Sequence, residues 1–170
     1  MRLLITNIGI LAGIDNHRKL RLSGKEMSQF ETLTDAWLLV EDGRFCKWGC
    51  MAAMPAEGIN ADQTVDAQGG CVMPSWCDPH THIVYAGSRE GEFVDKIRGL
   101  SYAEIAKRGG GILNSADLLH TFSEDELYRE AMHRAEEIMH KGTGCVEIKS
   151  GYGLTTEDEL KMLRVIRRIK

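Results

Sequence analysis

Apolar and polar positions are arranged differently in the two parts of this chain. Arg2 to Ile8 is rich in Leu and Ile, and a second apolar run, Trp37 to Val40, leads through Asp42-Gly43 into Arg44 to Trp48. Asp-Gly between two apolar runs signals a tight hairpin, whose central residues need positive φ. The first third therefore reads as β structure. The polar segment Asn16 to Thr34, with its Ser, Gly and Lys, reads as an exposed excursion without assigned structure. Met54 to Asp66 contains Pro55 and Gly58 and reads as a connection ending in a short strand, Thr64 to Asp66. A domain boundary is placed near residue 66.

Beyond it the pattern changes. Cys71-Val72-Met73 is a continuous apolar run, as expected of a strand buried on both faces of a parallel sheet. Phe93 to Lys107 shows helical spacing in pieces, broken at Gly99, and Gly109-Gly110-Gly111 reads as a loop that ends regular structure. Ser123 and Glu126 have capping-box spacing, and Leu127, Ala131, Ala135 and Ile138 then fall on one helical face before Gly142 stops it. Gly144 to Lys149 reads as a strand. Thr156 and Glu159 repeat the capping-box spacing ahead of Leu160, Leu163 and Ile166. Strand, helix, strand, helix predicts an α/β fold with a parallel sheet, either doubly wound or closed into a barrel. Met162 to Lys170 still reads as amphipathic helix where the sequence stops, and a barrel takes ~250 residues. The chain is therefore expected to be truncated, part of a longer protein and inactive alone.

Composition narrows the function classes. A hydrophobic fraction of 43%, a charged fraction of 27% and a net charge of -4 describe an ordinary globular protein. The basic residues are scattered, so neither nucleic acid nor an anionic membrane is expected as a partner. No run approaches the ~18 apolar residues of a membrane span, and no signal peptide is evident, which gives a cytoplasmic expectation. Five cysteines (Cys46, Cys50, Cys71, Cys77 and Cys145) without tight pairing favour free thiols. Cys46 and Cys50 read as core or strand residues in preference to metal ligands.

The stretch that carries chemistry is Asp78-Pro79-His80-Thr81-His82. In an extended strand residues two apart share a side, so the imidazoles of His80 and His82 can converge on one ion. Neutral imidazole suits zinc and ferrous iron. The position, at the C-terminal end of a strand, is where parallel barrels keep their catalytic groups. The alternative is a strand exit with two hydrogen-bonded, noncatalytic histidines. His120, His133 and His140 receive no role, and Gly109-Gly110-Gly111 lacks the Lys-Ser/Thr ending of a phosphate loop.

Pro74 through His82 resembles the first barrel strand of the amidohydrolase superfamily, Pro-Gly-apolar-apolar-Asp-x-His-x-His. Ser75 stands for the usual Gly, and Trp76-Cys77 for a Phe-Val-like pair. Within that superfamily Asp78 to His82, Ala86-Gly87-Ser88-Arg89, Glu92-Phe93, Gly109 to Ile112, Val146 to Leu154 and Glu159 to Arg164 resemble the imidazolonepropionase family. The resemblance is close over residues 66 to 170 and loose before them. It implies the start of a (β/α)8 TIM barrel over residues 67–170, preceded by a composite β-sandwich segment over 1–66. It further implies one divalent ion, Zn or Fe, on His80 and His82, with Arg89, Tyr152 and, more weakly, Tyr102 contacting the substrate. That substrate would be 4-imidazolone-5-propanoate, hydrolysed to N-formimidoyl-L-glutamate in histidine degradation. The physics of the side chains agrees: a guanidinium can grip a propionate carboxylate with two hydrogen bonds, and a phenol can hydrogen-bond a polar ring. On residue type alone, Arg89 reads first as a solvated surface arginine, and Tyr152 is equally a loop aromatic covering the core. Lys149 stands where some amidohydrolases carry a carboxylated lysine between two metals, but its context resembles a one-metal family. No general acid or base is assigned within the segment. Another cyclic amidohydrolase or deaminase, an inactive metal-binding fragment, and a homodimer at full length stay open.

Overall fold

The hairpin signal at Asp42-Gly43 organises the first sheet. In a computed structural model, which describes every residue except Arg18, β1 (Arg2–Ala12) pairs antiparallel with β2 (Thr32–Glu41), and β2 with β3 (Arg44–Cys50). Asp42 and Gly43 take φ of 49° and 76°, as the two-residue turn requires. Two further strands, β4 (Gln63–Asp66) and β5 (Cys71–Val72), run parallel to β1, giving the order β3-β2-β1-β4 with β5 also on β1. Alternation along β2 explains why its apolar run is unbroken. Ala36 and Leu38 join Ile8 and Leu11 in one apolar cluster, whereas Trp37 and Leu39 join Leu4 in another. Successive strand residues point to opposite faces, so cover on both faces demands apolar neighbours. Trp37 satisfies its polar atom by donating from Nε1 to the Cys50 carbonyl at 3.1 Å. The excursion before β2 holds one short 3-10 turn, Gly24–Ser28; Arg18 within it lies outside the described residues.

The chain divides into two compact units, Met1–Pro74 and Ser75–Lys170. The division falls later than residue 66 because Cys71-Val72 does not open the second unit. It is a two-residue strand added to β1, with Cys71 exposed. Positive φ at Gln68 and Gly69 (50° and 77°) turns the chain back along β1. A three-residue apolar run carries no information about which sheet it joins, and this turn decides it.

In the second unit β6 (Trp76–Thr81) lies parallel to β7 (Thr143–Ile148), a pairing that requires a crossover between them. The crossover contains α1 (Glu90–Ile97), α2 (Tyr102–Lys107), α3 (Ile112–Thr121) and α4 (Glu124–His140), and α5 (Thr156–Ile169) follows β7. The unit is α/β. Its strands form a two-stranded sheet, in which β6 is largely exposed, with Trp76 at 60%. Val84, Ala86, Leu119, Leu127, Ala131, Met162 and Val165 form the core. Ser123 and Glu126 close the expected capping box on α4, and Ser101 with Glu104 makes another on α2. α3 begins directly after the three glycines, so regular structure resumes there instead of ending, with Gly111 at φ 91° as its N-cap. Among the described residues no helix is long and apolar enough to cross a membrane.

α5 departs from its predicted face and cap. Thr155, one residue earlier than expected, caps it by accepting from the Asp158 amide at 3.1 Å. Met162 and Val165 are the buried apolar residues, while Leu160 and Leu163 are nearly half exposed. The stripe that includes Asp158 is the buried one, and Ile166 of the expected face packs against the same core. The Asp158 carboxylate is 2% exposed; Lys161 Nζ lies 3.0 Å from it, His120 Nδ1 lies 3.0 Å from it, and Thr155 Oγ1 donates to it at 3.0 Å. Lys161 Nζ also donates to the carbonyls of Leu119 (2.9 Å), Phe122 (3.1 Å) and His120 (3.3 Å). Carbonyls in the last turn of a helix have no partner within it, and here an ammonium supplies one.

Candidate active site

The Asp-Pro-His-Thr-His stretch does not run as a regular strand. Proline has no N–H to give to a ladder, and the Asp78 carboxylate takes the next amide instead, accepting from His80 N at 3.0 Å. The pairing with β7 accordingly slips: Asp78 faces Val146, yet Thr81 faces Ile148. An irregularity of this kind re-aims side chains at a strand end. The ladder resumes where Lys149 N donates to the Thr81 carbonyl at 2.8 Å, and β6 stops there, leaving His82 just beyond it. The imidazoles of His80 and His82 come together with ring centroids 5.3 Å apart and planes at 59°. The local bulge and strand exit bring them together, where extended spacing alone was expected to do so.

His82 is the inner member of the pair. Its ring meets the edge of Tyr152 at 5.1 Å and 70°, and its Nδ1 is buried without a hydrogen-bond partner. An unpartnered buried imidazole nitrogen carries a desolvation cost that a ligand at that atom would remove. A cavity of about 320 Å³ opens beside it, with His82, Tyr85, Ser88, Arg89, Ser115 and Tyr152 among its lining. His80 and Tyr102 are not among the lining residues. Among the described residues no group of three or more His, Cys, Asp or Glu could hold a metal ion. Two imidazoles are fewer than the three or four protein ligands that a bound zinc ordinarily takes.

Arg89 and Tyr152 flank the cavity from different elements. Arg89 is the N-cap residue of α1, and its Nη2 donates to Glu92 Oε2 at 2.6 Å. That hydrogen bond holds the guanidinium above its ordinary pKa, and Tyr102 and Tyr152 are close enough to add to the effect. Tyr102 opens α2, is 63% exposed, and has its hydroxyl near Gly111. Tyr152 sits in the loop after β7 and also packs against the apolar core. It therefore both covers the core and faces His82.

The Tyr152 loop is built by a residue whose role the sequence misassigned. Glu159, expected as a capping-box partner, turns back to accept from the amides of Gly153 (2.8 Å) and Leu154 (3.1 Å). Burial pushes its carboxyl up, but hydrogen bonds from the Ser150 side chain and from the Leu154, Gly153 and Gly151 amides outweigh that and hold it below the ordinary range. Gly153 allows the approach: a Cβ there would lie 2.6 Å from the Glu159 nitrogen and 2.7 Å from the Asp158 carbonyl carbon. Both are helix backbone and cannot swing aside. Gly153→Ala is accordingly expected to lower unfolding stability by about 1–3 kcal/mol, the usual cost of an overpacked site. Chemical denaturation of a full-length protein carrying the segment checks this, and an unchanged midpoint would refute the close packing.

Two further groups hold the site's surroundings. Lys149 pairs with Glu147, and that pairing keeps the Glu147 carboxyl below its ordinary range. Arg134 of α4 donates from Nη1 to the carbonyls of Ile83 (3.0 Å) and Tyr85 (3.1 Å), and its guanidinium carbon stands 3.6 Å from the Tyr85 ring centroid. The segment leaving β6 is thus pinned from a helix. Cys77 and Cys145 face one another across β6 and β7, and the neighbouring Cys145 thiol raises the Cys77 thiol pKa.

No family model matches the chain. Its whole length is 55% identical to the imidazolonepropionase of Christiangramia forsetii, aligning with 41% of that protein. The imidazolonepropionase of Flavobacterium psychrophilum is also 55% identical, over 99% of this chain and 41% of its own length. That of Thermoanaerobacter pseudethanolicus is 38% identical over 86% of this chain and 34% of its own. The chain thus spans well under half the length of the curated relatives it matches. Among solved structures, a triazine hydrolase from Arthobacter aurescens superposes with a TM-score of 0.62 at 16% identity, covering 99% of this chain and 33% of that one. An uncharacterized metal-dependent hydrolase from Pyrococcus furiosus gives 0.54 at 13% identity, covering 99% and 48%. At such identities the likeness is one of fold. With more than half of its residues shared along the entire alignment, the chain is similar throughout to one stretch of these imidazolonepropionases.

Proposed function

We propose that the protein to which this chain belongs hydrolyses 4-imidazolone-5-propanoate to N-formimidoyl-L-glutamate. Water adds at the ring carbonyl, the adjacent C–N bond breaks, and the opened ring ends in a carboxylate. The observation that carries this is the 55% identity to imidazolonepropionases over all 170 residues. The gathering of His82, Arg89 and Tyr152 around one cavity supports it. In this reading residues from Ser75 onward begin a (β/α)8 barrel, and the sheet before them is the start of a β-sandwich domain.

His80 and His82 would hold one divalent ion, zinc or iron, with the remaining ligands and the proton-transfer groups supplied from outside this segment. Such an ion, when bound, lowers the pKa of water and polarises a carbonyl oxygen. Arg89 binds the propionate carboxylate through the guanidinium edge not taken by Glu92. Tyr152 places a hydroxyl against the ring and, by its edge contact, keeps the His82 imidazole in one orientation. Tyr102, outside the cavity lining, closes over the substrate from the α2 side. The test is to supply 4-imidazolone-5-propanoate to a full-length protein carrying this segment, loaded with zinc or with iron, and to follow formation of N-formimidoyl-L-glutamate. Metal-dependent product formation is expected. Its absence with both ions, or turnover of other cyclic amides but not this one, would overturn the assignment.

A further inference from the structure

Glu92 stands in the first turn of α1, where a carboxylate is favoured, but its contacts go further than that placement requires. It lies on α1, with a side chain only 14% exposed, and both of its carboxylate oxygens are used: Oε2 accepts from Arg89 Nη2 at 2.6 Å and Oε1 from the Gly111 amide at 2.8 Å. Room for this is made by Gly110, where a Cβ would stand 3.1 Å from the Glu92 carboxyl carbon and 2.7 Å from Ile105 Cγ2. A carboxylate next to an arginine meant for an anionic substrate weakens that arginine's attraction for the anion, so its presence calls for a compensating benefit. The benefit is geometric. Arg89 is itself 39% exposed, caps α1 without a side-chain hydrogen bond, and has several rotatable bonds. Left to itself, such a side chain disperses over rotamers, at an entropic cost to any ligand that must gather it. A guanidinium has five donors in a fixed fork, and fastening one end of the fork orients the rest. The same carboxylate fastens the Gly109–Gly111 turn, beside which the Tyr102 hydroxyl lies.

We infer that Glu92 is the positioning residue for Arg89, locking its guanidinium toward the cavity shared with His82 and Tyr152 and tying that orientation to the glycine turn beside Tyr102. Glu92 touches no reacting atom, and its effect passes through Arg89. The inference rests on the proposed hydrolysis and on the carboxylate-binding role given to Arg89. The Arg-x-x-Glu spacing across the start of α1 is the sequence signal that accompanies it.

A double-mutant cycle in the full-length enzyme tests it. Glu92→Ala is expected to raise KM for 4-imidazolone-5-propanoate roughly tenfold, with the smaller effect on kcat, since a misplaced binding group costs on that order. In an Arg89→Ala background the same change should cost less than about twofold, because the group it positions is gone. A general loosening of the fold would instead lower kcat/KM by the same factor in both backgrounds, and that result overturns the inference. Should Glu92→Ala fail to fold, Glu92→Gln, which keeps an acceptor for Gly111 but loses the ionic bond to Arg89, is put through the same cycle with the same criterion. Failure of the parent enzyme to turn over the substrate at all would strike the hydrolase assignment itself, a result distinct from equal factors in the cycle.

Discussion

His82→Ala, made in a full-length protein carrying this segment, is expected to strip the bound divalent ion and lower kcat/KM by more than about 100-fold. Groups one step removed from a metal already cost 10- to 100-fold when lost. The change also leaves Tyr152 without the ring against which it stands edge-on, a contact worth about 0.5–1.5 kcal/mol. His80→Ala should lose the ion to a similar degree without disturbing Tyr152, because His80 is exposed and absent from the cavity lining. Elemental analysis of the purified variants, with steady-state kinetics, measures both losses. A His82→Ala protein that retains a full equivalent of metal and parental turnover would remove the imidazole pair from the mechanism.

Asp158→Ala is expected to destabilise by about 3–5 kcal/mol, the cost of leaving one partner of a buried ion pair behind. Its carboxylate is 2% exposed, and without it Lys161 would face three carbonyls with no counter-charge. Lys161 foremost, then His120, holds the Asp158 carboxyl down from 3.8 to about 2. Because the folded-state value lies below the unfolded one, this contribution to stability is complete above pH 3.8 and is lost as the pH falls through about 2. The stability gap between the parent and the Asp158→Asn variant should therefore stay level at higher pH and close across that acid window. Urea titrations at a series of pH values follow the gap. A gap that widened on acidification would mean that the carboxylate opposes folding.

How far the residues foretold the fold depends on how local each signal is. Asp42-Gly43 specified its hairpin because the turn needs only two residues and their φ values. Ser123 with Glu126 specified the start of α4 for the same reason. Cys71-Val72 failed because an apolar dipeptide is compatible with either sheet, and a turn at Gln68-Gly69 made the choice. α5 differed in its cap and in part of its face: Met162 and Val165 are buried in place of Leu160 and Leu163, whereas Ile166 packs against the core as expected, because several apolar residues lie around this helix and periodicity alone does not rank them. At the site, the spacing of His80 and His82 drew attention to that pair, whereas Arg89 and Tyr152 entered only through the family resemblance. The approach of the two imidazoles runs through the irregularity at Pro79, and the supports Glu92, Arg134 and Glu159 act across separations that no spacing rule covers, apart from the short Arg89 to Glu92 step. The Ser75 departure from the superfamily pattern was visible, but its accommodation was not: the serine presses against Gly144, where a side chain would collide with it.

Arg134 gives the cavity floor a tether that faces away from the chemistry. Two consecutive odd-numbered carbonyls, of Ile83 and Tyr85, share one nitrogen of that guanidinium. The backbone between His82 and Ala86 consequently follows α4 as a unit, and the floor inherits the rigidity of a capped helix of 17 residues. Precision at the His82 imidazole is in this way borrowed from a helix that contributes no residue to the cavity lining.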